Sequence, residues 1–456
     1  MQGIVLVPGI MGSKLSLAGT DIWPPDFEDL PNGYRNIQGL LDPRASATDL
    51  IYWVVLPCAV AYAPLDKTIL QIRDELHGQY LPFFYDWRKD LRTAASSLAR
   101  AIEDFCAETP SIAQITLVCH SMGGLVGRLL LEDTYRDTKP GWFSKIKRLI
   151  CICTPHLGAP QALSECMGVE GAETISPANV KLLSSDHRYP AGYQLLPAQG
   201  HTALWDLTNG MEQPLDFYQT PVAQSIGLDL TNLQAAQQLS AALNLNARPK
   251  GIDYQFIFGT AQKTVQGVEI VRDASGNLVS AEPRTDNLGD GTVPIWSASY
   301  FGGDATIGRW STAGDHVGIL ATLPLTLKIR AYFGLAEALL AAATQPPTVV
   351  LSLNKHVYAP NESMHVLVIP HDEPIQLDGK LIVTSIQSAG VAPTAHSTTE
   401  VSYRGGATKL LQFTLPAPAQ AGAYRLTFAA GSHISQAESP GWFAVSNAVM
   451  PAPSPP

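Results

Sequence analysis

Continuous apolar runs alternate with helical periodicity through the first 340 residues. "GIVLVPG", "YLPFFYDW", "ITLVCH", "IKRLICICTP" and "YQFIFG" read as strands, and unbroken apolar runs of this length suit strands buried on both faces of a mostly parallel sheet. Residues 91–106 and 122–135 place apolar side chains three and four apart, which predicts helices between those strands. The alternation is that of a wound α/β sheet. Two long stretches interrupt it, residues 14–65 and 161–250; the second is rich in Gln, Ala, Leu and Asn and has little strand pattern. Compact domains do not carry bare loops of such length. Both stretches are therefore expected to be mostly helical insertions that cap a pocket.

The pattern changes at residues 341–348, "AAATQPPT", where Pro346-Pro347 cannot extend a helix and marks a linker. About seven short strand-like runs with turn residues between them follow, from "TVVLSLNKHVYA" to "GWFAVSN". They predict an antiparallel sandwich, immunoglobulin-like in architecture only, since no cysteine falls within it. The expected organisation is a catalytic unit over residues 1–343, a linker at 344–347, a β-sandwich over 348–449 and a disordered tail at 450–456.

Composition narrows the class. Charged residues make up only 15% of the 456, and the net charge of −10 comes without dense basic clusters, which argues against a nucleic-acid partner. The six cysteines form no C-x-x-C pair and no zinc spacing, so no metal and no cofactor are expected. "GIVLVPG" follows Met1 directly and reads as a core strand rather than a signal peptide, and no apolar run is long enough to span a membrane. A cytoplasmic location is the resulting expectation.

Chemistry concentrates at residues 115–131, "ITLVCHSMGGLVGRLLL". A strand ends in Cys119-His120-Ser121-Met122-Gly123 and a helix follows at once. This is close to the G-x-S-x-G nucleophile elbow, with Cys119 in place of the first glycine. Cysteine is small enough for that tight turn, and a thiol at the end of an apolar strand is ordinarily inert. The reading is that Cys119 packs and Ser121 reacts. A serine nucleophile needs an imidazole, a carboxylate to orient it, and N–H donors for the oxyanion. "NLGDGTVP" offers Asp290 in a Gly-flanked turn beyond a later strand, with Asp286 as the alternative. His316, in "TAGDHVGIL", is the only histidine between Asp290 and the linker. The order Ser, Asp, His is that of an α/β-hydrolase. The N–H of Met122 and that of Ile10, in "LVPGIMGSKL", are the candidate oxyanion donors.

"LVPGIMGSKL", "YDWRKD", "CHSMGG", "TPHLGAP", "GDGTVP" and "DHVGIL", in that order, resemble the lecithin:cholesterol acyltransferase family of α/β-hydrolases and its bacterial lipase-like relatives. The resemblance implies Ser121, Asp290 and His316 as the triad, Ile10 and Met122 as oxyanion donors, and lipid or other acyl esters as substrates. It also makes Trp23, in a tryptophan-proline element, a substrate-side candidate, and gives Asp86 and Arg88 of "YDWR" a supporting role. Cys119 and the C-terminal sandwich depart from the family pattern.

The first insertion follows the strand that precedes Ile10, so it emerges at the carboxyl edge of the sheet, where ligands bind in wound sheets. This makes Trp53, Val55 and Leu56 candidates for an acyl-binding wall or a lipid-facing lid edge. The expected activity is hydrolysis of hydrophobic acyl esters, lipase- or phospholipase A-like, through an acyl-enzyme on Ser121. Transfer of the acyl group to an alcohol uses the same residues and is the alternative. A non-catalytic binding protein on a hydrolase fold is the second alternative. Expected partners are an ester substrate, with contact to a lipid surface left open, and an unknown partner for the sandwich.

Overall fold

A computed structural model describes residues 1–25, 34–52, 62–172, 174–300, 306–335, 349–353, 357–370, 376–385, 395–406, 408, 411–431 and 441–445. Trp53, Val55, Leu56 and the expected linker lie outside the described residues.

Six strands form the central sheet: β1 (Gln2–Val7), β2 (Gln79–Pro82), β3 (Gln114–His120), β4 (Ile146–Ile152), β5 (Asp253–Thr260) and β6 (Gly308–Ala313). Their order is β6-β5-β4-β3-β1-β2, and every pairing is parallel. The long apolar runs are strands here because helices cover both faces. Helices α1 (Ala63–Glu75), α2 (Leu91–Glu108) and α3 (Met122–Leu129) flank the sheet. In α2 the buried residues Leu91, Ala94, Ala95, Leu98, Ala99, Ile102 and Phe105 form one stripe, and the Asp90 carboxylate caps its first turn by accepting from Arg92 N. This is the expected α/β-hydrolase arrangement.

Register aligns the carboxyl ends of the central strands. Val7 pairs with Cys119 and Cys119 with Cys151, so the segments after β1, β3 and β4 leave the sheet side by side. Gly123 lets α3 start hard against β1: a Cβ there would lie 2.5 Å from the Val7 carbonyl oxygen and 2.4 Å from that of Pro8.

The two insertions differ from each other. The regular structure of residues 161–250 is chiefly helical, with Pro160–Met167, Pro177–Ser184 and Leu230–Ala242 as the main helices, but turns, loops and two short strands make up more than half of the stretch. That of the first insertion is not chiefly helical. Ser13–Leu17, Thr20–Trp23 and Ser46–Leu50 form a small antiparallel sheet, with one short helix at Ile37–Leu41. Strands of four or five residues, one of them without inside-outside alternation, are too short to register as a pattern. A long hairpin, Gln262–Arg272 with Leu278–Gly289, is also an addition to the expected elements. No helix among the described residues is long and apolar enough to cross a membrane.

After residue 348 come two β-sheets, of three and five strands, antiparallel but for one short parallel pairing. They share a core that includes Val366, Val368, Leu381, Leu426 and Phe428. One side chain of this unit leaves that core. Leu367, 2% exposed, packs with Phe258, Leu288, Val293, Ile295 and Ala298 of the larger unit. Leu367→Ala is expected to cost about 2–5 kcal/mol, the usual range for emptying a buried leucine site. A lowered urea midpoint measures it; an unchanged midpoint would show that the contact adds nothing to stability.

Candidate active site

Ser121 stands between β3 and α3 with φ 53° and ψ −128°, a conformation that side-chain-bearing residues rarely adopt. The turn holds Ser121 N on the Ile152 carbonyl, 2.8 Å away, and points the side chain over the carboxyl edge of the sheet. There its Oγ lies 2.9 Å from His316 Nε2. His316 follows β6, and its Nδ1 lies 2.8 Å from Asp290 Oδ2. A carboxylate only accepts, so the proton sits on Nδ1, and Nε2 is left to accept from the serine hydroxyl. Asp290 Oδ1 accepts from Thr292 N at 2.9 Å and Val293 N at 2.7 Å. Burial pushes the Asp290 carboxyl up, but the His316 ring beside it and these two donors outweigh burial and hold it below its ordinary value.

The alternative acid, Asp286, does not reach His316. It lies on the hairpin strand, where its Oδ1 accepts from Gln266 Nε2 at 2.8 Å and Leu288 N at 2.7 Å. Burial raises its pKa from 3.8 to about 7. Between those values the native protein keeps a proton that the unfolded chain has released, so stability falls as pH rises through that window. Asp286→Asn removes this dependence. Its stability relative to the parent is expected to improve from pH 4 to pH 8, by at most about 4 kcal/mol at about 1.4 kcal/mol per pKa unit, and by less because the side chain is partly exposed. Urea titrations at the two pH values measure it; the same midpoint difference at both would show an ordinary carboxyl.

The loop after β1 completes the surroundings. Gly9 sits so close to the serine that a Cβ there would be 2.7 Å from Ser121 Cβ and 3.3 Å from its Oγ. Among the described residues, neither Ile10 N–H nor Met122 N–H has a hydrogen-bond partner, so both are free to donate. The "YDWR" segment braces this loop. Tyr85 Oη donates to Pro8 O, Trp87 Nε1 donates to Ser13 O, and Arg88 is buried in a bidentate pair with Asp86 while donating to Leu40 O and Ala45 O. Trp23, expected at the substrate, is instead fully buried. Its Nε1 donates to Met11 O at 2.8 Å and its ring meets Tyr34 and Trp87 edge-on, so it supports the Ile10 loop from behind. A narrow apolar cavity of about 50 Å³ lies between that loop and the second insertion, lined among others by Ile10, Met11, Trp87, Ile175, Val180 and Leu183.

Cys119 is fully buried, with its Sγ 3.0 Å from where a Cβ on Gly127 of α3 would stand, and burial pushes its thiol well up. Sequence reasoning missed Cys153. It follows β4 with φ 53° and is fully buried, with its Sγ within 4.8 Å of the Asp290 carboxylate and the His316 ring. Cys153, Asp290 and His316 are also the described residues whose donor atoms, within 4.8 Å of one another, could hold a metal ion. The same acid and imidazole already pair with each other, and the imidazole pairs with Ser121.

Comparison with known families agrees with the resemblance seen in the motifs. Residues 79–247 match the lecithin:cholesterol acyltransferase family. The lecithin:cholesterol acyltransferase match includes Ser121 and most of the second insertion, and leaves Ile10, Asp290 and His316 outside it. No curated protein sequence matches the chain. Similar solved structures include the lin2722 gene product of Listeria innocua, at 12% identity over 74% of this chain and 96% of that one, TM-score 0.35. Phospholipase PlaB from Legionella pneumophila matches at 10% identity over 94% and 86%, TM-score 0.27. A cutinase-like protein from Cryptococcus sp. matches at 14% identity over 35% and 56%, TM-score 0.21.

Proposed function

We propose that the protein is a serine ester hydrolase acting on lipid or other hydrophobic acyl esters. The observation that carries the reading is the hydrogen-bonded series from Ser121 Oγ to His316 Nε2 and from His316 Nδ1 to Asp290 Oδ2, with the serine on a strained turn.

In this reading Ser121 Oγ attacks the ester carbonyl carbon while His316 Nε2 takes its proton. The carbonyl oxygen becomes an oxyanion, which the N–H groups of Ile10 and Met122 stabilise. His316 then gives its proton to the departing alcohol, leaving the acyl group on Ser121. Asp290 holds the ring in one tautomer and stabilises its charged form. Water, deprotonated by His316, releases the acid and restores the serine. An alcohol in place of water would give transfer by the same steps.

The apolar cavity beside Ile10, at about 50 Å³ far smaller than a whole acyl chain needs, is proposed to take only a short apolar part of the acid, which favours a hydrophobic acyl group. Lipid esters are favoured by the family match over residues 79–247. Trp53, Val55 and Leu56 remain proposed as part of an acyl-binding wall or a lipid-facing lid edge near Ser121. The unit after residue 348 is proposed to be an immunoglobulin-like sandwich without chemistry of its own, since its two sheets share one apolar core.

The test is a panel of p-nitrophenyl esters of increasing chain length and of phospholipids, with products identified by mass spectrometry. Free fatty acid as the main product supports hydrolysis; acylated alcohol at the expense of free acid would replace it by transfer. No turnover of any ester by folded protein would sink the enzyme reading.

A further inference from the structure

His120, immediately before the nucleophile, takes no part in the reaction above, yet it is fully buried and both ring nitrogens are engaged. Its Nε2 lies 2.9 Å from the backbone carbonyl oxygen of His316. Its Nδ1 lies 2.9 Å from Tyr62 Oη, and Tyr62 Oη lies 2.7 Å from Gly9 N. The proton positions follow without ambiguity. A carbonyl only accepts, so His120 carries its proton on Nε2 and donates to His316 O. Nδ1 is then an acceptor, and the Tyr62 hydroxyl donates to it. The tyrosine oxygen in turn accepts from Gly9 N–H. Burial, with the His316 ring nearby, pushes the His120 pKa down to about 3, so the ring stays neutral.

The two ends of this series are the two loops that must meet at the substrate. Gly9 abuts Ser121 and precedes Ile10. His316 is held at its carbonyl by His120 and at its own N–H by the Asp290 carbonyl, 2.7 Å away. The main chain of the general base is thus clamped from both sides, once by the acid and once by the residue preceding the nucleophile. The hydroxyl of Tyr62, the residue before α1, ties that clamp to the Gly9–Ile10 loop.

We propose that Tyr62 and His120 are positioning residues that lock the Ile10 loop and the His316 loop into one register, so that the base and the oxyanion donors face Ser121 together. This rests on the reading of Ser121 as nucleophile. Neither side chain touches the reacting atoms, so each acts through the residue it holds. Loss of the clamp leaves substrate access unchanged and slows the chemical step.

The experiment measures kcat and KM on p-nitrophenyl butyrate for the full-length parent, Tyr62→Phe, His120→Leu and His120→Gln, with thermal unfolding of each. Tyr62→Phe keeps the ring and removes only the hydroxyl; its kcat is expected to fall about tenfold with KM within twofold. His120→Leu is expected to lose about 10²-fold in kcat, the cost of small misplacement at a reacting centre. His120→Gln keeps an amide donor for His316 O and is expected to recover at least tenfold of that loss. A purely packing role predicts no loss for Tyr62→Phe and no advantage of Gln over Leu; either result, in folded protein, overturns the proposal. If His120→Leu does not fold, Tyr62→Phe and His120→Gln against the parent decide it alone. A fluorophosphonate probe keeps the two readings apart. Labelling of Ser121 in the parent with unimpaired variants overturns only the clamp, whereas absence of labelling in the active parent overturns the nucleophile itself.

Discussion

Ser121→Ala is expected to lower turnover of any ester substrate by about 10⁶-fold, as removal of a triad serine does elsewhere, while the protein keeps its thermal transition. The reason is geometric. Ser121 Oγ is the hydroxyl 2.9 Å from His316 Nε2, and Gly9, Met122 and Cys119 around it offer no replacement nucleophile within reach of that nitrogen. Alanine keeps the Cβ and the strained turn, so the fold loses a single hydrogen bond. Peptide mapping after fluorophosphonate treatment provides the second readout. Modification at Cys119 or Ser13, or full activity in the alanine variant, would remove Ser121 from the mechanism.

Asp290→Asn is expected to cost about 10⁴-fold in kcat, and Asp286→Asn less than tenfold. At position 290 the side-chain oxygen must stay on Thr292 N–H and Val293 N–H, which can only donate. That turns the amide NH₂ toward His316 Nδ1. The imidazole must then accept at Nδ1 and carry its proton on Nε2, where it can no longer take one from Ser121. At position 286 the amide meets Gln266 and Leu288 N and leaves His316 untouched. Steady-state kinetics of the two folded variants side by side decides between the acids; a larger loss for Asp286→Asn would reverse the assignment.

The sequence made these two carboxylates hard to separate, for a physical reason. They lie four residues apart in one polar, glycine-containing stretch, and only the end of the hairpin strand at Gly289 separates them. Asp286 is inside the ladder and points to Gln266; Asp290 has just left it and turns to His316. The central strands were legible because burial on both faces leaves long apolar runs, as at Ile115 to Val118. β6, "GRWSTA", was not, because its two buried positions, Arg309 and Ser311, are polar and the other four are partly or fully exposed. The hairpin before Asp290 was not legible either, because polar residues at its exposed positions hid the strands. Ser121, His316 and the Ile10 loop were legible from chain order. Tyr62 and His120 were not, since a polar group inside an apolar run looks the same whether it packs idly or holds a catalytic loop. Trp23 was assigned to the substrate by its motif, and only the fully enclosed ring reveals its place behind the loop.

Leu367 has a consequence beyond its own contact. It reaches from the C-terminal sheets into the cluster of Leu288, Val293 and Ile295, which brackets Asp290 in sequence. The acid that orients the general base therefore rests on a side chain supplied more than seventy residues later. Heat or denaturant that loosens the C-terminal sheets is therefore expected to withdraw that support and to lower the proposed ester turnover while the central sheet is still folded. The two units are then expected to share one operating range, set by whichever is weaker.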